Sequence, residues 1–115
     1  MTTPELTALL AEQVMRWTVA PGRYLMGHRR WIPAWRFEPT KRLEDAFRLL
    51  DAADPDEYSI HARRGSGFSV RVKITGTAGE ACDTSKPRAI TFAVARAVGL
   101  EPDCGESVEA GVKRR

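Results

Sequence analysis

The chain has 115 residues and a net charge of +3; 43% of the residues are hydrophobic and 29% are charged. This length allows one domain with a modest core, which needs neither disulfides nor a metal. The mild charge does not by itself predict a nucleic-acid-binding protein, and two cysteines, Cys82 and Cys104, are too few for a secreted disulfide scaffold. Without a targeting signal or an apolar run long enough to span a membrane, the sequence predicts a cytoplasmic protein with reduced thiols.

The first predicted element is a helix that begins at Thr3, with Pro4 and Glu5 in its first turn. Apolar residues recur at helical spacing as far as Trp17. Residues 18–38 show no such periodicity and contain prolines, glycines and four aromatic residues, so a long irregular loop is expected. Its tryptophans either pack onto the core as anchors or serve a function at the surface.

A second helix is predicted to begin near Glu38-Pro39-Thr40 and to end at Asp54. Its expected apolar stripe consists of Leu43, Ala46, Phe47, Leu50 and Ala53. Alternating apolar and polar residues then predict a β-hairpin over 57–64 and 67–75, with two glycines in its turn. A third strand over 79–82 is possible.

A third helix is expected to open at Asp83-Thr84-Ser85 and to end at Gly99, a suitable residue for a left-handed C′ position. Residues 101–115 lack periodicity and are predicted to form a flexible C-terminal tail. We therefore expect a small α+β domain over residues 1–100, with three helices and a short antiparallel sheet around one core.

Motifs that carry catalytic or cofactor chemistry are not found in the sequence. His28, His61, Cys82 and Cys104 do not stand at metal-ligand spacings, so no metal site is predicted. No nucleophile elbow and no phosphate-binding glycine loop occurs. The sequence therefore predicts a protein that is not an enzyme and has no cofactor; Cys82 is expected to be a small buried residue near a helix start.

Charge is strongly segregated along the chain. Residues 16–42 hold seven basic residues and one acid, residues 43–57 hold six acids and one base, and the hairpin is basic again. Arginines interleaved with exposed aromatics could bind a protein partner or a nucleic acid through segment 23–42. Alternatively, the aromatics are buried and the arginines pair with acids of the second helix. The candidate binding residues are Arg23, Arg29, Arg30, Trp31, Trp35, Arg36, Arg63 and Arg64.

Several short motifs together resemble the phage ABA-sandwich domain family over residues 5–100. They are Val14-Met15-Arg16-Trp17, Trp31-Ile32-Pro33, Phe47 with Leu50, the alternating hairpin, and residues 79–84 followed by Pro87, Ala89 and Ile90. The resemblance implies an α/β/α layered fold and a phage or prophage origin, with no catalytic residues to carry over. A sheet covered on both faces would be apolar on both, whereas the second face of this hairpin is polar, so its covering is expected to be partial.

The first functional hypothesis is a non-catalytic phage accessory protein that binds an unknown protein partner. Inhibition of a host enzyme or defence complex is one such action, in the cytoplasm of the host bacterial cell. The alternative is a nucleic-acid-binding accessory protein that uses segment 23–42. No membrane and no small-molecule cofactor is expected in either case. The observation expected to separate these two hypotheses best is whether Trp31 and Trp35 are exposed beside Arg29, Arg30 and Arg36.

Overall fold

The computed structural model describes residues 3–26 and 30–100. Within them the chain forms three α-helices and two three-stranded antiparallel sheets, which confirms the α+β class. The elements are α1 (Thr3–Gln13), β1 (Thr18–Ala20), β2 (Arg23–Met26), β3 (Arg30–Pro33), a 3-10 turn (Ala34–Arg36), α2 (Leu43–Ala53), β4 (Glu57–Arg63), β5 (Gly67–Ile74), β6 (Thr77–Asp83) and α3 (Lys86–Ala97).

The second sheet, β4-β5-β6, contains the predicted hairpin and the third strand. The alternation of apolar and polar residues in β5 produces the expected alternation of burial. Val70 and Val72 are fully buried, while Arg71 between them is exposed. A two-residue turn, Thr75-Gly76, joins β5 to β6, and both residues have positive φ (50° and 82°). Positive φ at both positions defines a type I′ turn, which matches the twist of the two strands.

The first sheet, β1-β2-β3, corrects the prediction of a long irregular loop over residues 18–38. Its strands have only three or four residues, too few for an alternating pattern to stand out. The Pro21-Gly22 pair, which suggested a break, is the turn between β1 and β2; Gly22 has a φ of 73°. The Ala34 N–H donates to the Gly22 carbonyl and ties the 3-10 turn to that corner.

Two helices differ from their predicted limits. α1 ends at Gln13, because Arg16 takes a left-handed conformation and the Trp17 N–H donates to the Ala11 carbonyl. α2 begins at Leu43 rather than near residues 38–40, which form a turn on the Glu38 carbonyl.

The faces of α2 also differ from the predicted stripe. Leu43 is 40% exposed and Phe47 is half-buried, whereas Leu49, which was not assigned to the stripe, is fully buried. Asp45, which lies outside the predicted apolar stripe, is also buried, and its carboxylate accepts a hydrogen bond from the Glu38 N–H at 3.0 Å.

α3 packs against β5 and β6, and α2 packs against α3. Gly79 permits this contact, since a Cβ there would collide with the Ala93 carbonyl oxygen and the Ala97 nitrogen. The helix ends as predicted: Gly99 has a φ of 91° and the Leu100 N–H returns to the Ala95 carbonyl, a Schellman motif. One core cluster joins α1, the first sheet, α2, the second sheet and α3.

The face of the second sheet turned away from α3 is polar, as the sequence indicated, and much of it is exposed. Arg71 and Glu80 form an ion pair across it at 3.5 Å. Cys82, expected to be buried, is exposed there opposite Ser69, because its position in the register points away from α3. Cys104 and the predicted tail, residues 101–115, lie outside the described residues.

Candidate binding surface

A buried aromatic cluster fixes the first sheet to the core. Trp17 and Phe37 pack edge to face with ring centroids 4.9 Å apart, and Tyr24 lies 6.0 Å from Trp17 and 6.3 Å from Phe37. All three side chains are buried. Burial raises the pKa of the Tyr24 phenol, because the phenolate would lose its hydration. Of the aromatic residues in segment 18–38, Tyr24 and Phe37 are therefore buried anchors.

The two tryptophans of the predicted binding segment are exposed. Trp31 is 42% exposed on the outer face of the first sheet, and Trp35, in the 3-10 turn, is 64% exposed. The Arg23 guanidinium lies over the Trp31 ring, 4.1 Å from its centroid, and the Arg36 guanidinium lies 6.0 Å from the Trp35 centroid. The anchor interpretation is wrong for Trp31 and Trp35. We call these four residues the Arg/Trp surface; Arg30 is also exposed, but it lies on the face of β3 opposite to Trp31.

Arginines also line a cleft of about 400 Å³ between the first sheet and the start of α2. It is bordered by Met26, Arg30, Ile32, Arg36, Arg42, Glu44, Asp45 and Arg48. In the parts of the chain that the structure describes, Arg30, Arg36 and Arg48 form no ion pair, and Arg42 pairs with Glu38 at 3.8 Å rather than with an acid of α2. The predicted pairing of the arginines with α2 acids is therefore wrong here, and the cleft keeps unneutralised positive charge.

The other candidate residues lie elsewhere or cannot be placed. Arg63 ends β4 and Arg64 lies in the following turn, so both belong to the second sheet and not to the first. Arg29 lies outside the described residues. Sequence reasoning missed Arg48, whose guanidinium is 5.3 Å from the Trp17 centroid. Its place off the apolar stripe of α2 was visible, but not its proximity to the first sheet.

An apolar groove of about 620 Å³ lies beside this surface, between α1 and the first sheet. Ala8, Val19, Tyr24 and Phe37 are among its walls, and Trp35 stands at its border. No sequence pattern indicated this groove, because it depends on how α1 lies against strands that the sequence did not predict. It extends the exposed apolar area next to the Arg/Trp surface.

The Arg/Trp surface offers guanidinium groups and indole rings. Among residues 3–26 and 30–100, no three His, Cys, Asp or Glu side chains group as metal ligands would. No helix of that part of the chain is long and apolar enough to cross a membrane. This arrangement can bind a partner through arginine hydrogen bonds and cation–π contacts. Its aromatic surface is easily desolvated on binding.

Known proteins share this architecture. The crystal structure of a phage protein from Bacillus cereus ATCC 14579 superposes with a TM-score of 0.71, covering 89% of this chain and 92% of that one at 15% identity. That likeness establishes the fold, an α+β domain also found in a phage protein. The family model of the Phage ABA sandwich domain matches residues 8–94, so the chain belongs to this family of phage proteins, whose function is unknown. No curated protein matches the chain.

Proposed function

We propose that this chain is a non-catalytic phage accessory protein that binds a protein partner through the Arg/Trp surface. The observation that carries the proposal is the stacking of Arg23 on an exposed Trp31, with Trp35 exposed nearby in sequence. Trp and Arg are the residues most enriched in protein-binding hot spots. The free cations of the surface favour a partner with an acidic patch.

A protein partner is favoured over a nucleic acid by the position of Arg23. Single-stranded nucleic acids bind by stacking bases on open aromatic faces. In Trp31 one such face already carries a guanidinium at 4.1 Å, so a base would have to displace it. A hot spot has no such conflict, since a preformed cation–π pair loses little side-chain entropy on binding.

The cleft of about 400 Å³ supports nucleic-acid binding as the second candidate. Four arginines line it, and phosphate groups bind arginine through paired hydrogen bonds. Glu44 and the buried Asp45 lie in the same cleft, and their carboxylates oppose an anion. This opposition makes the phosphate hypothesis the weaker one.

Covering a surface is the mode of action that suits a small binding protein, and blocking a host enzyme or a defence complex is one instance of it. The test is affinity capture from an extract of the bacterium that carries the phage, with quantification by mass spectrometry. We expect a stoichiometric partner for the unaltered chain and at least a tenfold loss for Trp31→Ala and Trp35→Ala, the usual size of a hot-spot truncation.

Leu43→Ala is the matched control. The exposed fraction of Leu43, 40%, is similar to the 42% of Trp31, and Leu43 lies on α2, outside the Arg/Trp surface. It is expected to retain the partner. In parallel, labelled single-stranded and duplex DNA are titrated at about 50 and 200 mM salt, since binding to phosphates weakens steeply with salt. DNA binding that Arg30→Glu and Arg36→Glu abolish, with no protein captured, would replace the protein hypothesis by the nucleic-acid one.

A further inference from the structure

The two edge strands of the second sheet are protected differently. At the β6 edge, the Arg96 guanidinium donates a hydrogen bond to the Glu80 carbonyl. Among the described residues β4 pairs only with β5; five of its seven residues are exposed, and it contains neither lysine nor proline. Exposed edge strands accept further strands unless prolines, bulges or charges block them, and Glu57 and Arg63 of β4 stand at its two ends. β4 is therefore the open edge of this sheet.

The pairing with β5 determines which main-chain groups of β4 are available. Arg63 and Gly67 stand opposite each other across a three-residue turn, a spacing that closes on a hydrogen-bonded pair. Hydrogen-bonded and non-hydrogen-bonded pairs alternate along an antiparallel ladder, so the odd-numbered residues of β4 turn their main-chain groups toward β5. The N–H and C=O groups of Tyr58, Ile60 and Ala62 consequently point outward at the open edge.

We propose that β4 pairs antiparallel with β4 of a second copy of this chain, about a two-fold axis at Ile60. In this register Tyr58 of each copy faces Ala62 of the other, and all residues with outward main-chain groups form hydrogen-bonded pairs. Glu57 of each copy then faces Arg63 of the other. A register displaced by two residues shortens the ladder and separates Glu57 from Arg63.

Charge and exposure select the second copy as the occupant. Glu57 and Arg63 stand at the two ends of β4 on its polar face, and neither forms an ion pair within residues 3–26 and 30–100. Within the chain Glu57 faces Lys73 without forming an ion pair with it, and Arg63 faces Gly67. Two-fold pairing places Glu57 and Arg63 directly opposite each other, which stabilises cross-strand pairs. Tyr58 is 53% exposed although it lies on the face that α3 covers at β5, and the second copy would cover it. The interface does not include the Arg/Trp surface, so it is independent of the proposed function.

The test is the mass of the full chain in solution, by sedimentation equilibrium from about 1 to about 200 μM, a range that captures weak homodimers. We expect the mass to rise from 12.8 kDa toward twice that value. Glu57→Arg or Arg63→Glu places like charges opposite each other twice in the dimer, and each should raise Kd at least tenfold. The double variant restores opposite charges and should return Kd to within about threefold of the original.

Arg16→Glu is the matched control, because it makes the same charge change at an exposed position after α1, outside β4, and should leave Kd unchanged. Amide hydrogen exchange gives a second measurement on the unaltered chain: high concentration should add protection at Tyr58, Ile60 and Ala62 only. A monomer at every concentration, a dimer indifferent to both single reversals, or a double variant that fails to recover would each overturn the proposal.

Discussion

The two sheets of this small domain expose different kinds of surface. The second sheet follows its alternation: valines face α3, and the exposed face carries charges such as the Arg71–Glu80 pair. The first sheet turns Tyr24 inward yet leaves Trp31 in water, with Arg23 stacked on it. Folding alone explains the alternation in β5. An exposed indole does little for stability, so folding alone does not explain the first sheet, which carries the surface proposed for binding.

The largest effect is expected where the first sheet meets the core. Phe37→Ala removes the ring that packs against both Trp17 and Tyr24 and should lower the free energy of unfolding by about 3–5 kcal/mol. Chemical denaturation followed by tryptophan fluorescence and by circular dichroism measures it. Phe47→Ala, at a half-buried ring, is the comparison and should cost less. Equal losses would mean that the aromatic cluster does not anchor the first sheet.

In the second sheet, the backbone of β6 lies very close to the backbone of α3 at Gly79. In Gly79→Ala the new methyl group would collide with main-chain atoms of Ala93 and Ala97, which cannot rotate away. We expect a loss of about 3 kcal/mol, at the upper end of overpacking costs. Gly22→Ala in the first sheet is the control: it meets no atom within 4 Å and only its positive φ opposes a side chain, at about 1–2 kcal/mol. A milder effect at Gly79 than at Gly22 would contradict the described packing.

One hydroxyl links α3 to the segment that follows the first sheet. Thr91 Oγ1 lies 2.8 Å from the carbonyl oxygens of both Pro39 and Pro87, and the residue is fully buried. Thr91→Val keeps the shape and removes the donor, so we expect a loss of about 1–3 kcal/mol. Thr18→Val, at an exposed position of β1, should change stability by less than about 0.5 kcal/mol. Thermal unfolding of the two variants compares them directly.

Alkaline pH should weaken the first sheet through Tyr24. Its pKa is raised from 10.0 by burial, so above about pH 10 the unfolded chain releases the phenolic proton while the folded chain still holds it. Stability is therefore fully present below pH 10 and falls as the pH rises above it. Tyr24→Phe should flatten this fall. The measurement is the urea midpoint of each chain at about pH 8 and at about pH 10.5. An equal drop in midpoint for the unaltered chain and for Tyr24→Phe would refute the prediction.

The smallest stability effect is expected at the exposed tryptophans. Trp35→Ala should cost less than about 1 kcal/mol, because a side chain 64% exposed loses little buried area. Trp17→Ala, at a buried ring, should cost several times more. A large loss at Trp35 would make it an anchor after all and would remove the argument for a binding surface.

The sequence predicts elements well where side-chain periodicity and burial coincide. Phe68, Val70, Val72 and Ile74 alternate because a single helix covers one face of β5, and the hairpin is predictable from that pattern alone. The α3 end is equally visible, since Gly99 stands where a left-handed residue is needed. Both features depend on residues that are close together in the sequence, so the sequence alone is enough to predict them.

The first sheet was not predictable because its strands are shorter than the patterns used to find strands. Their pairing depends on the turn at Gly22 and on the buried ring of Tyr24, which no local pattern distinguishes from a loop. The arginines and tryptophans of the binding surface were identifiable by composition, but their exposure was not. Whether an indole lies inside or outside depends on which face of an unpredicted strand it occupies.

The turn between β5 and β6 contains a residue that does not suit its conformation. Thr75 is β-branched and has a φ of 50°, a conformation that suits asparagine or glycine far better. Natural chains retain such residues when the fold already exceeds the threshold below which function is lost, since selection removes only what falls beneath it. Thr75→Asn would be expected to raise the melting temperature without altering any surface proposed for binding. Position 75 is thus a place where one substitution can add stability that selection has not required.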